Sequence, residues 1–317
     1  MDTHVATRSL GMSRIIPAPP EAVFAAWIEP EKMKPWFGPY GMTAPVAEVE
    51  PRVGGRHFVV MRDAAGKEYP ALGIIEAIEP NRRLVTRVAD EGCGPLKGAT
   101  GTLTFAPHPL GTLFTVRYDH PTEEMRAAHE AMGFIKGWGE TLDKLSAFAA
   151  TPPADAACPF SQPPSPEHGW LHRMLGDWTW EHEGTMPDGS TARGRGVERV
   201  RALGPYWVIG EGEGEMPGGG GMNWKVTLGF NAQTKRFTGT WVGSMMGWLC
   251  LYDGALSEDG MTLPLENEGP AFDGNGLARY RDTVILEQDG TRRLTSEVQG
   301  KDGAWTQFMT GTFRRKD

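Results

Sequence analysis

A proline-rich segment near the middle of this 317-residue chain limits what the chain can fold into. Residues 151–166, TPPADAACPFSQPPSP, contain six of the 25 prolines. Because proline lacks a backbone N–H and clashes with the preceding helical turn, this segment cannot continue a helix or join a sheet. We therefore predict two domains, 1–150 and 167–317, joined by a linker over 151–166. Each domain has about 150 residues, which is enough to bury a core.

Composition changes across this linker. Of the 42 glycines, 15 precede residue 151 and 27 follow it, and the 11 tryptophans divide as 3 and 8. The only long helical pattern also lies in the first part. The two domains are therefore predicted to be different folds and not a repeat.

The charge distribution excludes several classes of partner. Residues 1–150 contain 16 Lys and Arg against 18 Asp and Glu, and the rest of the chain contains 16 against 22, for a net charge of -8. Without a basic excess, neither nucleic acid nor an anionic membrane is expected as a partner. No apolar run approaches the ~20 residues of a membrane span, and residues 1–16 lack the apolar core of a signal peptide. We expect a cytoplasmic protein.

The first domain shows the pattern of an α+β fold. A strand-like run over 8–16 is followed by a short helix that begins at Pro20, and six strand-like runs then form a meander between 43 and 118. Over 122–148 the apolar residues, including Met125, Met132, Trp138 and Leu145, step by three and four. This spacing predicts one long helix with an apolar face that lies on the sheet.

This order resembles the helix-grip fold of the START-like (SRPBCC, Bet v 1-like) superfamily. Four segments are similar to its Aha1-type branch, the activator of Hsp90 ATPase homologues: APPEAVFAAWIEPEKMKPWFGP (18–39), EVEPRVGGRH (48–57), MRDAAGKEYP (61–70) and HEAMGFIKGWGETLDKL (129–145). The resemblance covers nearly all of 8–149. It implies a helix-grip domain, and the name of the branch suggests a co-chaperone role.

Three glycines in the predicted long helix, Gly133, Gly137 and Gly139, are each unfavourable by roughly 0.5–1 kcal/mol relative to Ala. They either leave a hollow between helix and sheet that suits an apolar ligand or allow close packing of the helix on a strand, and both interpretations stand. Large aromatic residues line such a hollow or fill a core. The candidate cavity residues are Trp27, Trp36, Phe58, Phe105, Phe134 and Trp138.

The second domain reads as a short helix over 167–175 followed by strands alone. Gly176-Asp177-Trp178 resembles the opening of the calycin barrels, such as lipocalins, in which the Trp closes one barrel end beneath an Arg of the last strand. Arg314 and Arg315 occupy the corresponding strand here. Four segments are similar to the DUF1579 family, which implies a lipocalin-like all-β barrel with no established activity: HGWLHRMLGDWTWEHEG (168–184), LGPYWVIGEGEGEMPGGG (203–220), TLGFNAQTKRFTGTWVGSMM (227–246) and ARYRD (278–282).

Two strands of this barrel are candidates for a polar lumen. Residues 206–215 alternate strictly, and Arg279 and Arg281 share one face of a later strand. If both faces point inward, carboxylates and guanidinium groups meet inside, because unpaired buried charges are unfavourable. The alternative is a solvated surface, and we favour the lumen. The candidate lumen residues are Trp207, Ile209, Glu211, Glu213, Arg279 and Arg281.

The sequence contains no nucleophile elbow, P-loop, dinucleotide fingerprint or HExxH motif, and no acid/base pair can be assigned. The histidines His168 and His172 lie four residues apart, with His182 in the following strand, but no ligand set can be completed. Cys93, Cys158 and Cys250 lie outside any CxxC spacing. We therefore predict no metal, no cofactor and no catalytic residue.

The predicted function is noncatalytic binding of a hydrophobic or amphipathic small molecule in one or both domain cavities. One alternative is a co-chaperone or protein-interaction module, which needs a protein partner. A second alternative is a hydrolase or cyclase whose motif is not recognised, since folds of this kind also support enzymes.

Overall fold

The computed structural model describes residues 8–89, 94–151, 163–185, 189–215 and 220–316. The chain divides into two compact units, Met1–Arg173 and Met174–Asp317. Within the predicted linker, residues 152–162 lie outside the described part of the chain. No helix in the described part is long and apolar enough to cross a membrane.

The first unit has the predicted α+β fold, a seven-stranded antiparallel sheet with helices. The strand order is β1-β7-β6-β5-β4-β3-β2, so the meander runs from β2 to β7 and β1 pairs with β7. The strands are β1 (Ser9–Ile16), β2 (Thr43–Val49), β3 (Arg56–Arg62), β4 (Glu68–Glu79), β5 (Arg83–Val88), β6 (Thr100–His108) and β7 (Gly111–Asp119). The helices are α1 (Pro20–Ile28), α2 (Pro30–Met33), α3 (Glu123–Ala131), α4 (Phe134–Ala150) and α5 (Pro166–Leu171).

One apolar core joins the sheet to helices α1, α2 and α4. Ile16 of β1, Trp27 of α1, Phe105 of β6, Phe114 of β7 and Leu142 of α4 are all buried in it. The aromatic rings contact one another directly, for example Phe105 and Phe114 at 5.3 Å between ring centroids. Burial of these side chains stabilises the unit by roughly 1.5–3 kcal/mol each.

The prediction of one long helix over 122–148 is wrong, because the helix breaks between α3 and α4. Gly133 has a φ of +93°, in the left-handed region that glycine adopts without a steric penalty. Met132 consequently leaves the apolar face and is 63% exposed. Around Gly133 and Gly137 no atom would touch an added Cβ, so neither glycine faces the sheet or a closely packed strand.

A buried ion-pair network fixes α4 to its neighbours. The Asp143 carboxylate, which is fully buried, lies 2.7 Å from the Arg14 guanidinium of β1 and 2.5 Å from that of Arg173. It also accepts a hydrogen bond of 2.7 Å from the Tyr40 hydroxyl. These partners lower the pKa of Asp143 against the opposing effect of its burial. The carboxylate therefore stays charged without water.

Two glycines make room for the segment that carries Arg173. A Cβ at Gly139 would lie 3.4 Å from the Arg173 guanidinium, and a Cβ at Gly169 of α5 would lie 1.8 Å from the carbonyl oxygen of Asp143. Helix α5 therefore packs on α4 at a distance that only glycine permits. Most of this helix lies within the predicted second domain, 167–317, whereas its contacts with α4 place it in the first unit.

The second unit is an all-β closed barrel of ten antiparallel strands, as the fold class predicts. Consecutive strands are neighbours throughout, and the barrel closes where β17 pairs with β8. The strands are β8 (Gly176–Thr185), β9 (Thr191–Leu203), β10 (Trp207–Glu215), β11 (Gly221–Asn231), β12 (Arg236–Gly243), β13 (Cys250–Gly254), β14 (Thr262–Pro270), β15 (Leu277–Leu286), β16 (Arg292–Gln299) and β17 (Trp305–Arg315).

The helix break yields a paired prediction. Gly133→Ala should destabilise the first unit by about 1–2 kcal/mol, because its backbone is left-handed. Gly137→Ala in the α4 interior should stabilise it by about 0.5–1 kcal/mol, because the added methyl group meets open space and helix propensity rises. Urea unfolding of both variants measures the two shifts. Changes of the same sign would contradict this account of the break.

The ion-pair network yields a second prediction. Arg173→Met should destabilise the protein by about 3–5 kcal/mol, because it removes one partner of a buried carboxylate. Arg87→Met is the matched control, since the Arg87–Glu76 pair is 51% and 40% exposed and such pairs contribute about 0–1 kcal/mol. Thermal and urea unfolding provide the comparison. Equal effects of the two substitutions would show that the network does not stabilise the fold.

Candidate functional site

The inner-face side chains of the barrel are buried at one end and partly exposed at the other. On the inner face of β15, Leu286 and Val284 are buried, whereas Asp282 and Tyr280 are partly exposed. The same change occurs on β8, where Trp178 is buried and His182 is partly exposed. Since inner-face residues of a closed barrel reach solvent only through an end, the lumen opens at the end where β8 finishes and β15 begins.

Trp178 lies at the sealed end between two arginines. Its ring is 4.4 Å from the guanidinium carbon of Arg315 and 4.8 Å from that of Arg292. The Trp178 indole N–H donates a 2.9 Å hydrogen bond to the carbonyl of Met174. Arg315, of the two predicted arginines, therefore covers this ring, while Arg314 is exposed and lies 3.8 Å from Glu181.

A buried ion pair lies above the sealed end. The Arg292 guanidinium contacts the Glu198 carboxylate, and both side chains are buried. Glu198 also accepts a 3.3 Å hydrogen bond from the Trp224 indole N–H. The Arg292 charge is therefore neutralised inside the barrel.

A second polar group surrounds Asp282, nearer the open end. The Asp282 carboxyl accepts a 2.6 Å hydrogen bond from the Tyr252 hydroxyl and a second one from the Ser296 hydroxyl. Burial raises the pKa of Asp282, although both hydrogen bonds act in the opposite direction. Burial and the nearby Asp282 also raise the pKa of the Cys250 thiol. This wall therefore favours uncharged forms of its titratable groups.

Asn267 belongs to the same wall. It pairs with Tyr280 across β14 and β15, and Asp282 is its diagonal neighbour on the inner face. Asn267 is 8% exposed, and among the described residues its side-chain nitrogen has no hydrogen-bond partner. An unsatisfied buried amide of this kind is unfavourable by about 1–3 kcal/mol. A hydrogen-bond acceptor next to the Asn267 side-chain nitrogen would remove this cost.

The predicted lumen face of β10 is the outer face. Trp207 is 38% exposed, Ile209 is partly buried, and Glu213 is exposed. Glu211 is exposed as well and forms an ion pair of 2.7 Å with Lys225. The opposite face of β10 points inward and carries glycine at three positions. Neighbouring side chains, including two tryptophan rings, occupy the space that a side chain would need there.

Three contacts show this filling. A Cβ at Gly212 would lie 2.0 Å from the Trp224 ring, one at Gly214 would lie 2.3 Å from the Trp180 ring, and one at Gly210 would lie 2.7 Å from Val226. A side chain would clash with a tryptophan ring at Gly212 and Gly214 and with Val226 at Gly210.

Arg279 and Arg281 also lie on the outer face, contrary to the prediction. Arg279 contacts Glu266, and Arg281 lies 2.8 Å from Glu297. The Arg281 guanidinium lies 4.3 Å from the Trp305 ring. The alternation of β15 thus places its two arginines outside and Tyr280 and Asp282 inside.

Two open concavities lie on the outer face of the barrel. They have volumes of about 740 and 640 Å³ and share Val197, Glu213 and Asn223. Their other lining residues include both acidic and basic side chains, such as Glu215 and Arg195, which lie 3.8 Å apart. Exposed charges of both signs are typical of a solvent-facing protein surface, so these concavities are not assigned as the ligand site.

Most of the predicted cavity residues of the first unit are buried against aromatic rings. Four of them, Trp27, Trp36, Phe105 and Phe134, are buried, with 4.9 Å between the ring centroids of Trp27 and Trp36. Phe58 is partly exposed on the face of β3 opposite the buried Val59.

Trp138 is partly buried against the core, and its ring stacks on Trp27 at 6.0 Å. Among the described residues the indole nitrogens of Trp27 and Trp36 have no hydrogen-bond partner. The first unit therefore shows a packed aromatic core at the predicted cavity.

The predicted histidines are held by side-chain hydrogen bonds. His168 contacts the Ser165 hydroxyl at 3.0 Å, and His172 contacts that of Ser146 at 2.8 Å. His120 and His129, which flank the start of the predicted long helix, form a buried pair with 2.9 Å between ring nitrogens. In the described part of the chain no three His, Cys, Asp or Glu side chains are grouped to hold a metal ion.

The predicted lumen set contains the arginines of β15 and omits Asp282, which lies on the opposite face of the same strand. The opposite face runs Tyr280, Asp282, Val284 and Leu286, and its apolar end was the available signal that it points inward. On β14 the alternation of Leu263, Leu265 and Asn267 carries the same signal.

The raised pKa of Asp282 predicts a pH dependence. The folded protein holds this proton more tightly than the unfolded chain, so stability falls as pH rises from about 4, the ordinary Asp range, through the folded pKa. Asp282→Asn cannot titrate, and it should gain stability relative to the wild type over that rise. Urea unfolding at a series of pH values measures the difference.

Asp289→Asn is the matched control for this test. Asp289 is exposed, and the hydrogen bond from the Thr291 backbone lowers its pKa, so this variant should lose relative stability as pH rises. An Asp282→Asn curve parallel to that of the wild type would contradict the raised pKa of the Asp282 carboxyl.

Comparisons with known proteins support the two-part architecture. Residues 17–150 match the family described as Activator of Hsp90 ATPase homolog 1-like protein, and residues 163–315 match the family described as Protein of unknown function (DUF1579). No curated protein matches the chain.

Several solved structures are similar to part of the chain. One from Nitrosomonas europaea has 29% identity and a TM-score of 0.42, covering 47% of this chain and 96% of its own. The AHSA1 protein from Silicibacter pomeroyi has 26% identity and a TM-score of 0.35, covering 44% and 95%. An AHSA1-like protein from Aeromonas hydrophila has 23% identity and a TM-score of 0.37, covering 44% and 90%. The two family matches cover separate parts of the chain, residues 17–150 and residues 163–315.

Proposed function

We propose that the second unit binds a small hydrophobic or amphipathic molecule, without catalysis, in the lumen of its barrel. The observation that carries this proposal is the change along the inner strand faces from buried at the Trp178 end to partly exposed at the other end. A barrel sealed at one end and accessible at the other suits a ligand that enters end-on.

The surface of the open end supports an apolar ligand. The β12–β13 connection there exposes Met245 (43%), Met246 (43%) and Leu249 (50%), and the β14–β15 connection exposes Phe272 (59%). Trp248, in the first of these loops, donates a 2.8 Å hydrogen bond from its indole N–H to the carbonyl of Glu268 on β14. Exposed apolar groups beside a lumen mark a route for an apolar molecule.

The first unit offers less support for binding. The Trp27 ring centroid lies 4.9 Å from that of Trp36 and 6.0 Å from that of Trp138, and the Phe105 ring lies 5.3 Å from that of Phe114, as in a packed core. We therefore assign the ligand to the barrel and not to the helix-grip domain.

The test uses Nile red, an uncharged dye whose emission rises in apolar surroundings. Val298→Trp adds bulk on the inner face of β16 opposite Tyr280, and it should weaken dye binding by about tenfold or more, equivalent to about 1.4 kcal/mol. Thr295→Trp adds the same ring on the outer face of that strand, opposite Thr283, and should leave binding unchanged. Fluorescence titration of the full chain gives both dissociation constants.

Thermal unfolding of each variant tests whether the barrel is still folded. The absence of dye binding by the wild type would contradict the proposal, and so would equal weakening by the inner and outer substitutions in folded protein.

A further inference from the structure

We infer that the lumen ligand carries an uncharged carbonyl group, such as a carboxamide, on an apolar body, and that this group binds against Asn267. The inference rests on the lumen binding proposed above and adds the chemical class of the ligand and its orientation. The observations that carry it are the unpartnered amide of Asn267 and the hydrogen-bond pattern around Asp282.

The Asn267 amide nitrogen requires a hydrogen-bond acceptor. It is buried on the inner face of β14, and the described residues supply no partner for it. Its nearest inner-face neighbours across the strand pair are Tyr280 and, diagonally, Asp282. The Asp282 oxygens already accept from Tyr252 and Ser296. A ligand oxygen would satisfy the amide that the protein leaves open.

An anionic group fits this wall poorly. The influences on the Asp282 carboxyl are its burial and the two hydroxyls, with no cation among them in the described part of the chain. The guanidinium of Arg292, deeper in the lumen, is paired with Glu198. A ligand carboxylate would therefore lose its water beside another carboxyl and gain no positive charge.

A cationic ligand group could pair with only one of the two polar groups of this wall, Asp282. An ammonium group could approach Asp282, but it has no acceptor for the Asn267 amide. An uncharged amide supplies both functions, since its oxygen accepts from Asn267 and its N–H can donate to an oxygen of Asp282. The polar wall therefore selects a neutral group with a carbonyl oxygen.

The apolar part of the ligand points toward the open end. Trp248 lies near that end, where its ring would be 3.8 Å from a Cβ at Gly269, two residues beyond Asn267. The exposed Met245 and Met246 belong to the same loop. With the carbonyl at Asn267, an aliphatic tail follows this apolar surface outward.

The experiment compares three probes with the same chain length: octanamide, octanoate and octylammonium. Each displaces Nile red from the full chain at a pH where the acid and the amine are both charged. The amide should displace the dye at a concentration about tenfold lower than either charged probe, because one additional hydrogen bond contributes about that factor. In Asn267→Leu this preference should disappear, and the variant's own Nile red affinity, measured by direct titration, is the reference for the three displacement curves.

Asn223→Leu, which removes an exposed asparagine of β11 from the outer face, is the matched control and should keep the amide preference. Asn267→Leu should also keep or raise the melting temperature, since it removes an unsatisfied amide. If Nile red does not bind, the proposed function fails. If Nile red binds in the lumen but the three probes displace it equally, or if Asn267→Leu keeps the preference, the carbonyl inference alone fails, and an ordered water is then the acceptor for Asn267.

Discussion

The barrel depends on a glycine-lined part of its inner wall. Gly212 and Gly214 of β10 and Gly196 of β9 face inward, and a Cβ at any of the three would lie 2.0–2.6 Å from a tryptophan ring. Side chains there are excluded by contact distance alone. The rings of Trp180 and Trp224 therefore fill this half of the lumen, with 5.2 Å between their centroids. The inner faces of β13 to β16 form the opposite wall.

Along that opposite wall, the inner-face residues are apolar near the sealed end and polar nearer the open end. Leu263 and Leu265 are buried near the sealed end, and Asn267 follows them on the same face of β14. On β15, Asp282 follows Val284 and pairs with Leu265, one inner-face position nearer the sealed end than Asn267. Because the polar groups lie partway along the lumen with buried apolar residues beneath them, a ligand that reaches them extends back toward the open end. This placement separates the site from the charged outer face, where ion pairs such as Glu211–Lys225 are exposed.

The first unit is organised around a different constraint, the buried charge of Asp143. Its partners come from β1, from the segment after α2 and from the residues that follow α5. The DUF1579 match begins at residue 163, ahead of α5, yet the contacts of this helix are with α4. The beginning of the second family segment therefore completes the packing of the first unit, and Gly169 provides the close approach that this requires.

Periodicity in the sequence predicted the order of elements and both fold classes, because alternation and helical spacing report directly which residues share a face. It could not choose the inner face of β10, since the face that points inward there is glycine and carries no hydrophobic signal. Met132 continues the apolar spacing of the helix, so the spacing gave no sign of the break that the left-handed Gly133 introduces. The Asp143 network joins residues 129 positions apart, which local patterns do not connect.

A crystal structure with 8-bromooctanamide tests the central claim most directly, because anomalous scattering from bromine locates the ligand without ambiguity. The account predicts one bromine peak at the open end of the barrel, with the amide oxygen within hydrogen-bond distance of the Asn267 side-chain nitrogen. A fully occupied bromine site in the outer-face concavities around Glu213, with no ligand in the lumen, would contradict it.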